Sequence, residues 1–307
     1  MRRAGFIWWP HNWPVQSGDV SSFRSRLARW YRNNGRHGLP WRLTRDPYAI
    51  LVSEVMLQQT QVERVLPYYE AWLLRWPSFD ALAAASPADV IRAWSGLGYN
   101  RRALNLHRAA VLAARAGGLP RSLADLRGFP GVGPYTASAI LSFAHELPVP
   151  VVDTNIGRVV ARAVHGQPSA RATGPLTIAE TARSLLPEGG RRARDHNLAL
   201  MDLGATVCTA RSAACDRCPL ARVCAWRAAG YPLEPRVPPK TERFEESARF
   251  ARGRIIEQLR NADALSTDQL AASLPAAHGA RIETYLAALA RDGLIRRVGD
   301  RVSLATG

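Results

Sequence analysis

The chain has 307 residues, of which 47% are hydrophobic and 21% charged, a composition typical of a globular protein and unlike that of a disordered or fibrous one. No apolar run reaches the roughly 18 residues that a membrane-spanning helix needs, and a tryptophan- and proline-rich stretch follows Met1, so we expect neither a membrane partner nor an export signal. The formal net charge of +16 favours a polyanionic partner, although a generally arginine-rich proteome would give the same excess.

The predicted elements begin after an N-terminal extension at residues 1–20, which is rich in Trp and Pro and shows no periodicity. From residue 21 to residue 228, apolar residues recur at three- and four-residue steps, which predicts an almost wholly helical domain. Asp46 and Ser86 each precede a proline and are predicted to cap helices. Residues 149–152 are the best strand candidate in this domain, although they fit the entry to a helix equally well.

A proline-rich linker is predicted at residues 229–245, where prolines occupy positions 232, 235, 238 and 239. Residues 246–307 follow it and predict three helices and then two short strands around the turn formed by Gly299 and Asp300. This order resembles a winged helix. Winged helices bind DNA in some proteins and only pack against protein in others, so both roles stay open for this domain.

All four cysteines of the chain lie in residues 208–224, with six, two and five residues between successive members. Four thiolates this close together can enclose a zinc ion or an iron–sulfur cluster, whereas two disulfides are disfavoured in an intracellular protein. The spacing, with a proline directly after the third cysteine, resembles the cluster loop of the endonuclease III superfamily, which holds a 4Fe-4S cluster. The resemblance implies that the cluster ligands are Cys208, Cys215, Cys218 and Cys224.

Residues 126–137 read LRGFPGVGPYTA and lie between two predicted helices. Glycine allows a tight turn, Pro134 suits the first turn of the following helix, and the N–H groups at a helix start attract an anion. A bare Gly-x-Gly turn is common, but the whole string resembles the helix–hairpin–helix element of the same superfamily. The resemblance implies that Gly131, Val132 and Gly133 grip the DNA phosphates beside the target nucleotide.

Asp153 follows an apolar run, where a carboxylate needs a polar partner or a function. Its simplest role is the N-cap of the next helix, whose N-terminus should keep the carboxylate ionised. In the superfamily that the chain resembles, the matching Asp points at the sugar of the extruded nucleotide. The resemblance therefore implies that Asp153 stabilises a developing cation, with assistance from Asn155 and Tyr135.

Tyr135 stands where the bifunctional branch of the superfamily has a lysine that attacks the sugar. Tyrosine forms no Schiff base, which predicts a monofunctional enzyme that uses water as its nucleophile. Glu54 lies in a mostly apolar helical pattern at residues 48–57, so we expect burial to raise the pKa of its carboxyl group and keep the acid form near neutral pH. Such an acid can protonate N7 of adenine and make it a better leaving group. A buried Glu paired with an arginine for stability is the alternative.

Residues 53–60, SEVMLQQT, and residues 39–42, LPWR, resemble signatures of the MutY family of adenine glycosylases. The resemblance assigns Trp41 and Arg42 to the adenine pocket. It covers roughly residues 21–228 and implies a mainly α, two-lobed helix–hairpin–helix DNA glycosylase fold with an iron–sulfur cluster loop.

The same resemblance assigns residues that open the duplex. Gln58 shares a helix face with Glu54, Gln59 is assigned to duplex disruption, and Tyr99 is the expected wedge beside the opposing base. An ordinary core aromatic is the alternative role for Tyr99.

Three features depart from the family pattern. Asn100 stands where the family often has Tyr, and Leu198 stands where a pocket residue is commonly Gln or Glu. The segment after the cysteines is too short and too helical for the Nudix-like domain that recognises 8-oxoguanine.

Together these features predict a base-excision-repair DNA glycosylase that acts as a monomer in the cytoplasm, on double-stranded DNA that contains a mispair. We expect it to hydrolyse the bond to adenine opposite 8-oxoguanine or guanine. The alternatives are a thymine or uracil glycosylase for G:T or G:U mismatches, a non-catalytic damage sensor, and a transcription regulator. Glu54 favours adenine, because pyrimidine departure has less need of an acid directed at N7, and the presence of both Glu54 and Asp153 argues against a sensor.

Overall fold

The computed structural model describes residues 17–233 and 243–306, and these residues are mainly helical, as predicted. The first helix begins at Ser17, inside the predicted N-terminal extension, whose residues 1–16 lie outside the described residues. Most of the predicted linker, residues 234–242, lies outside them as well. Within the described ranges, no helix combines the length and apolarity that a membrane crossing requires.

The described residues form α-helices joined by short loops, with three short strands near the C-terminal end. The helices are α1 Ser17–Asn34, α2 Pro40–Leu43, α3 Pro47–Met56, α4 Val62–Arg75, α5 Phe79–Ala83, α6 Pro87–Ala93, α7 Arg101–Ala116, α8 Leu123–Leu126, α9 Pro134–Phe143, α10 Thr154–His165, α11 Ala170–Thr173, α12 Pro175–Leu185, α13 Gly190–Thr206, α14 Ala225–Ala228, α15 Ala248–Arg260, α16 Thr267–Ala272, α17 Ala276–Gly279 and α18 Ile282–Arg291. The strands are β1 Leu265–Ser266, β2 Ile295–Val298 and β3 Arg301–Leu304.

Two predicted helix caps are confirmed. The Asp46 side chain accepts hydrogen bonds from the backbone N–H groups of Tyr48 and Ala49 at the start of α3. The Ser86 side chain accepts from the N–H of Asp89 at the start of α6. Each cap satisfies N–H groups that have no partner inside the helix, and the following proline has no N–H to satisfy.

The chain divides into two compact units. The first unit combines the described residues of 1–43 and 138–237, and the second unit combines those of 44–137 and 238–307. Each unit is therefore built from two separate stretches of the sequence.

In the first unit, α10 packs closely against α13 at Gly204. A Cβ atom at position 204 would lie 2.7 Å from the Cβ of Asn155, so a larger residue would push the two helices apart. This close approach brings the start of α10, which carries Asp153, against the helix that leads into the cysteine loop.

The segment before Asp153 is fixed by the buried Asn197 of α13. The Asn197 side-chain amide donates hydrogen bonds of 2.9 Å to the hydroxyl of Ser142 and to the carbonyl of Val149. Residues 149–152 belong to no strand, and they enter α10 directly. Of the two interpretations of this segment, helix entry is correct, because its polar backbone groups bond to a side chain rather than to a neighbouring strand.

In the second unit, the C-terminal residues form helices and a small antiparallel sheet in the order β1-β3-β2. Ile295 pairs with Leu304 and Val298 pairs with Arg301, which confirms the predicted hairpin around Gly299 and Asp300. The sequence pattern did not predict β1, because a strand of two residues carries no detectable alternation.

The C-terminal helices and strands share a hydrophobic core with α6 and α7 of the same unit. Ala88, Ile91 and Leu104 are at most 4% exposed and belong to one cluster with fully buried residues of α15, such as Ile255 and Leu259. Burial of such side chains is the main stabilising contribution to a fold. The C-terminal segment is therefore part of the core of the second unit.

Candidate active site and cysteine loop

Glu54 lies on α3, as the sequence predicts, and its neighbours along this helix are mostly apolar. Every residue of α3 from Tyr48 to Met56 is buried, and Glu54 is only 6% exposed. Burial disfavours the charged form of a carboxyl group. Glu54 is thus a candidate acid on a helix whose other buried residues belong to the core.

The end of α3 is held by Arg102 of α7, which the sequence analysis did not identify. The Arg102 guanidinium donates to the carbonyls of Val55 at 2.9 Å, Met56 at 3.1 Å and Gln58 at 2.5 Å. It also donates to the carbonyls of Leu97 and Gly98, at 2.8 and 3.1 Å. Burial lowers the pKa of Arg102 to about 10. One buried cation therefore ties the turn after α3 to the turn before α7.

These two turns carry the residues expected to open the duplex. Gln59 and Tyr99 both have left-handed backbone conformations, with φ of 60° and 48°. Such conformations are costly for residues other than glycine, and they persist where the surroundings fix them. Gln59 is exposed and Tyr99 is 42% exposed, so Tyr99 is not a core aromatic. Gln58 is half-buried and lies in the turn beyond Met56, so it does not share a helix face with Glu54 as expected.

The predicted helix–hairpin–helix turn is present between α8 and α9. Gly131 is exposed and has φ of +78°, and a Cβ atom there would lie 2.9 Å from the Cβ of Asn105. Val132 is 5% exposed and anchors the turn, while Gly133 precedes Pro134 at the start of α9. Tyr135 is half-buried in the first turn of α9. The hairpin is thus exposed at Gly131, where there is no side chain, and buried at Val132.

Asp153 caps α10 in the first unit. Its Oδ1 accepts from the N–H of Ile156 at 2.6 Å, and its Oδ2 accepts from the Asn155 side-chain amide at 2.9 Å. The cap was predicted, but the net effect on the carboxyl group was not. Burial raises the pKa of Asp153, although the N–H of Ile156, the Asn155 amide and the charge of Arg158 act to lower it. We expected the helix N-terminus to keep the carboxylate ionised, and the N–H of Ile156 acts in that direction while burial acts against it.

Two arginines of α10, the helix that Asp153 caps, bind the cysteine loop. Neither arginine was predicted from the sequence. Arg158 donates to Asn155 Oδ1 at 2.9 Å and to the carbonyl of Cys208 at 2.7 Å. Arg162 donates to the carbonyl of Thr209 at 2.8 Å and approaches the Cys208 sulfur at 3.6 Å. Nothing in the local pattern distinguishes these arginines, because their partners are mostly backbone carbonyls some fifty residues away.

The four cysteines are free thiols that line one small cavity together with Val207, Ala213 and Trp226. Burial raises the pKa of the Cys215 and Cys224 thiols and raises that of Cys218 to about 12. In the part of the chain that the structure describes, no three His, Cys, Asp or Glu side chains converge on a point that would hold one metal ion. The loop therefore gathers four thiols around one shared space.

Arg42, expected in the adenine pocket, is bound within the first unit by Asp202. The Asp202 carboxylate accepts from Arg42 Nη1 and Nη2 at 2.5 and 2.7 Å and from the Arg36 Nε at 2.6 Å. Burial opposes ionisation of Asp202, but the two arginines lower its pKa, and the same carboxylate raises the pKa of Arg42 against the effect of burial. The neighbouring Trp41 is 7% exposed, and Leu198 is 3% exposed.

The family model of HhH-GPD superfamily base excision DNA repair proteins matches residues 52–174. An adenine DNA glycosylase of Mycolicibacterium smegmatis is 43% identical over 287 residues, which cover 91% of this chain and 94% of that protein. An adenine DNA glycosylase of Mycobacterium tuberculosis is 46% identical over 259 residues, which cover 83% and 84%. A solved structure of a thermostable thymine-DNA glycosylase matches with a TM-score of 0.62 and 28% identity, over 69% of this chain and 98% of that one.

Proposed function

The chain belongs to the adenine DNA glycosylase family, and from that premise we propose that it removes adenine mispaired with 8-oxoguanine or guanine during base-excision repair. The mainly α helix–hairpin–helix fold expected from the sequence is confirmed. The observation that carries the proposal is Glu54, a carboxyl group that is only 6% exposed on a helix of mostly apolar residues, since burial by itself disfavours the charged form. We propose that the protein works in the cytoplasm, because its proposed substrate is genomic DNA. We also propose that it acts as a monomer.

The proposed reaction begins with extrusion of the adenine from the stack, since a base inside the duplex cannot be reached. Glu54 donates its proton to N7, and the glycosidic bond breaks with its electron pair leaving on the purine. The sugar becomes an oxocarbenium-like cation. Water then adds to the sugar carbon and loses a proton to a carboxylate, either Glu54 or Asp153.

Asp153 stabilises that cation by its negative charge. The hydrogen bonds from Ile156 and Asn155 fix both carboxylate oxygens, so the charge needs little reorganisation as the cation forms. Burial raises the pKa of Asp153, because the buried anion is poorly solvated. A poorly solvated anion attracts a nearby cation more strongly. Tyr135 assists at the sugar, and because it cannot form a Schiff base, the enzyme is monofunctional.

DNA binding is assigned to both units. The hairpin backbone at Gly131, Val132 and Gly133, which is exposed at Gly131, is assigned to the DNA phosphates, next to the start of α9. Gln59 and Tyr99 enter the opened duplex, and Gln58 supports Gln59. This assignment matches their exposure and their fixed left-handed turns.

The adenine pocket is assigned to Trp41 and Arg42, with a different division of roles from the one expected. Because Asp202 binds the Arg42 guanidinium bidentately, we give Arg42 the task of fixing the chain that presents Trp41. Leu198 adds only an apolar surface.

The cysteine loop fits a 4Fe-4S cluster better than it fits zinc. Zinc takes all its thiolates at about 2.3 Å from one point, whereas each thiolate of a four-iron cluster binds a different iron, so its ligands stand farther apart. The cysteines line a common cavity, and their spacing resembles that of the superfamily's cluster loop, which supports the assignment of a cluster. The ligands would be Cys208, Cys215, Cys218 and Cys224, and the bound cluster would serve to hold the loop rather than to react with DNA.

The test uses single-turnover reactions with otherwise identical duplexes that contain A:8-oxoguanine, A:G, T:G or U:G. We expect adenine release from the first two, strand breaks only after added alkali, and little covalent complex on treatment with borohydride. Release of thymine or uracil without adenine would replace this proposal by the pyrimidine-mismatch alternative. Efficient borohydride trapping would refute the monofunctional mechanism.

A further inference from the structure

The exposed Tyr99 side chain is contacted by the C-terminal helix α15 of the same unit. Arg249 donates a hydrogen bond of 2.5 Å to the Tyr99 hydroxyl, and its guanidinium carbon lies 4.5 Å from the centre of the Tyr99 ring. The same guanidinium lies 4.9 Å from the ring of Phe244. A cation over an aromatic ring and a hydrogen bond to its hydroxyl together restrict both torsions of the tyrosine side chain.

The next residue along the chain is held by the same helix. The Asn100 side-chain carbonyl accepts a hydrogen bond of 2.8 Å from Arg260. Arg260 also donates to the carbonyl of Ile91 at 3.1 Å and pairs with Glu257 at 2.6 Å. Two successive residues of this turn, Tyr99 and Asn100, are therefore bonded to α15.

The position of α15 is itself fixed. Its buried face, which includes Ile255 and Leu259, belongs to one hydrophobic core with Ile91 and Leu104 from the helices on either side of Tyr99. Arg249 lies on a helix, and Tyr99 lies between two helices, that share this hydrophobic core. The contact between Arg249 and Tyr99 is therefore expected to form in the absence of DNA.

We propose that Arg249 is a positioning residue for Tyr99, through which the C-terminal segment sets how Tyr99 enters the duplex. The inference rests on the proposed function in one respect, the role of Tyr99 as the wedge. A tyrosine already held in its DNA-bound direction loses less conformational freedom on binding, so the mispair is opened more completely at the same affinity for the phosphates.

The experiment measures insertion directly, independently of base release. A duplex carries a 2-aminopurine beside the base opposite a 2′-fluoro-adenosine that resists hydrolysis, and the rise in 2-aminopurine fluorescence on binding reports unstacking. Arg249→Ala, Arg249→Lys, Tyr99→Phe, Tyr99→Ala and the Arg249→Ala/Tyr99→Phe double variant are compared with wild type. Arg254→Ala is the matched control, because Arg254 is an exposed arginine of the same helix. Thermal melting confirms that each variant is folded.

We expect Arg249→Ala and Tyr99→Phe each to reduce the fluorescence change and the single-turnover rate by about three- to tenfold, the effect of one ordinary hydrogen bond. The double variant should be no more than about twofold worse than either single variant, because both changes remove the same bond. Arg249→Lys should recover part of the signal, and Arg254→Ala should lower only the affinity and its salt dependence.

The proposal is overturned if Arg249→Ala behaves like Arg254→Ala, or if the effects of Arg249→Ala and Tyr99→Phe add independently. An unchanged signal for Tyr99→Ala would remove the wedge role and the proposal with it, while excision by the wild type could continue. Conversely, a wild type that inserts Tyr99 but releases no adenine would refute the proposed function and leave the role of Arg249 supported.

Discussion

Arg158 donates a hydrogen bond of 2.9 Å to the side-chain oxygen of Asn155, and it reaches the carbonyl of Cys208 at 2.7 Å with another nitrogen of the same guanidinium. Asn155 in turn donates to Asp153 at 2.9 Å. The carboxylate assigned to stabilise the cation is therefore two side chains away from a cysteine of the loop.

Replacing Arg158 should loosen both ends of this connection. We expect Arg158→Ala to lower the single-turnover excision rate by roughly ten- to a hundredfold, because small displacements of a reacting group have effects of that size. Iron content per chain should fall as well, while affinity for DNA changes little. The exposed Arg171 of α11 offers a charge-matched control, and Arg171→Ala should leave rate and iron unchanged. Equal effects of the two substitutions would show that Arg158 acts only through its charge.

Arg102 should matter for both stability and duplex opening. Arg102→Met keeps a long unbranched side chain but removes the hydrogen bonds that Arg102 donates to five backbone carbonyls. We expect a loss of at least about 2 kcal/mol in the free energy of unfolding and a lower excision rate. Arg101→Met is the neighbouring control, since Arg101 is exposed and its ion pair with Asp292 spans 3.5 Å. A stable, fully active Arg102→Met variant would contradict the role assigned to this guanidinium.

Much of the scaffold could be predicted from sequence because its signals are local. Asp46 and Ser86 indicate helix starts within four residues of themselves. The C-terminal hairpin is predicted by a Gly-containing turn, and the cysteine loop is identified by the spacing of its cysteines alone. Glu54 could be placed because the apolar residues around it are its neighbours along the chain.

What escaped prediction depends on contacts between distant residues. Arg102, Arg158 and Arg249 bond to backbone carbonyls or to a tyrosine far away in the sequence, and no periodicity distinguishes them among the chain's arginines. The net effect on Asp153 was also out of reach, because the degree of burial depends on packing that the cap motif does not encode.

The buried carboxylate of Asp202 should contribute strongly to stability near neutral pH. Asp202→Asn leaves the buried Arg42 without its counter-charge, so we expect a loss of about 3 to 5 kcal/mol in the free energy of unfolding by urea. Asp195→Asn, on the same helix, removes a partly exposed pair of 3.5 Å and should have little effect.

The effect of Asp202 should also depend on pH in a defined direction. Its pKa is lowered in the folded state, so its contribution is fully present above the unfolded pKa of about 3.9 and is lost as pH falls through the lower folded value. The difference between wild type and Asp202→Asn should therefore shrink in acid. A difference that grows as pH falls would contradict the assignment.

The cysteine loop predicts the metal content of the pure protein. We expect a yellow-brown protein with about four iron and four sulfide per chain, and substantially less iron in Cys218→Ser. Elemental analysis and visible absorption make the measurement. Stoichiometric zinc without iron would show that the loop closes around a single ion.

In the proposed mechanism, Glu54 is the acid that releases adenine. The most direct measurement is the single-turnover rate of Glu54→Gln on an A:8-oxoguanine duplex, with affinity measured in parallel and Glu63→Gln, on the exposed surface of α4, as the matched control. Glutamine keeps the shape and hydrogen bonding of the side chain but cannot deliver the proton. We predict a fall of at least about a hundredfold with affinity retained, and no change for Glu63→Gln. A Glu54→Gln enzyme that releases adenine at nearly the wild-type rate would contradict this account.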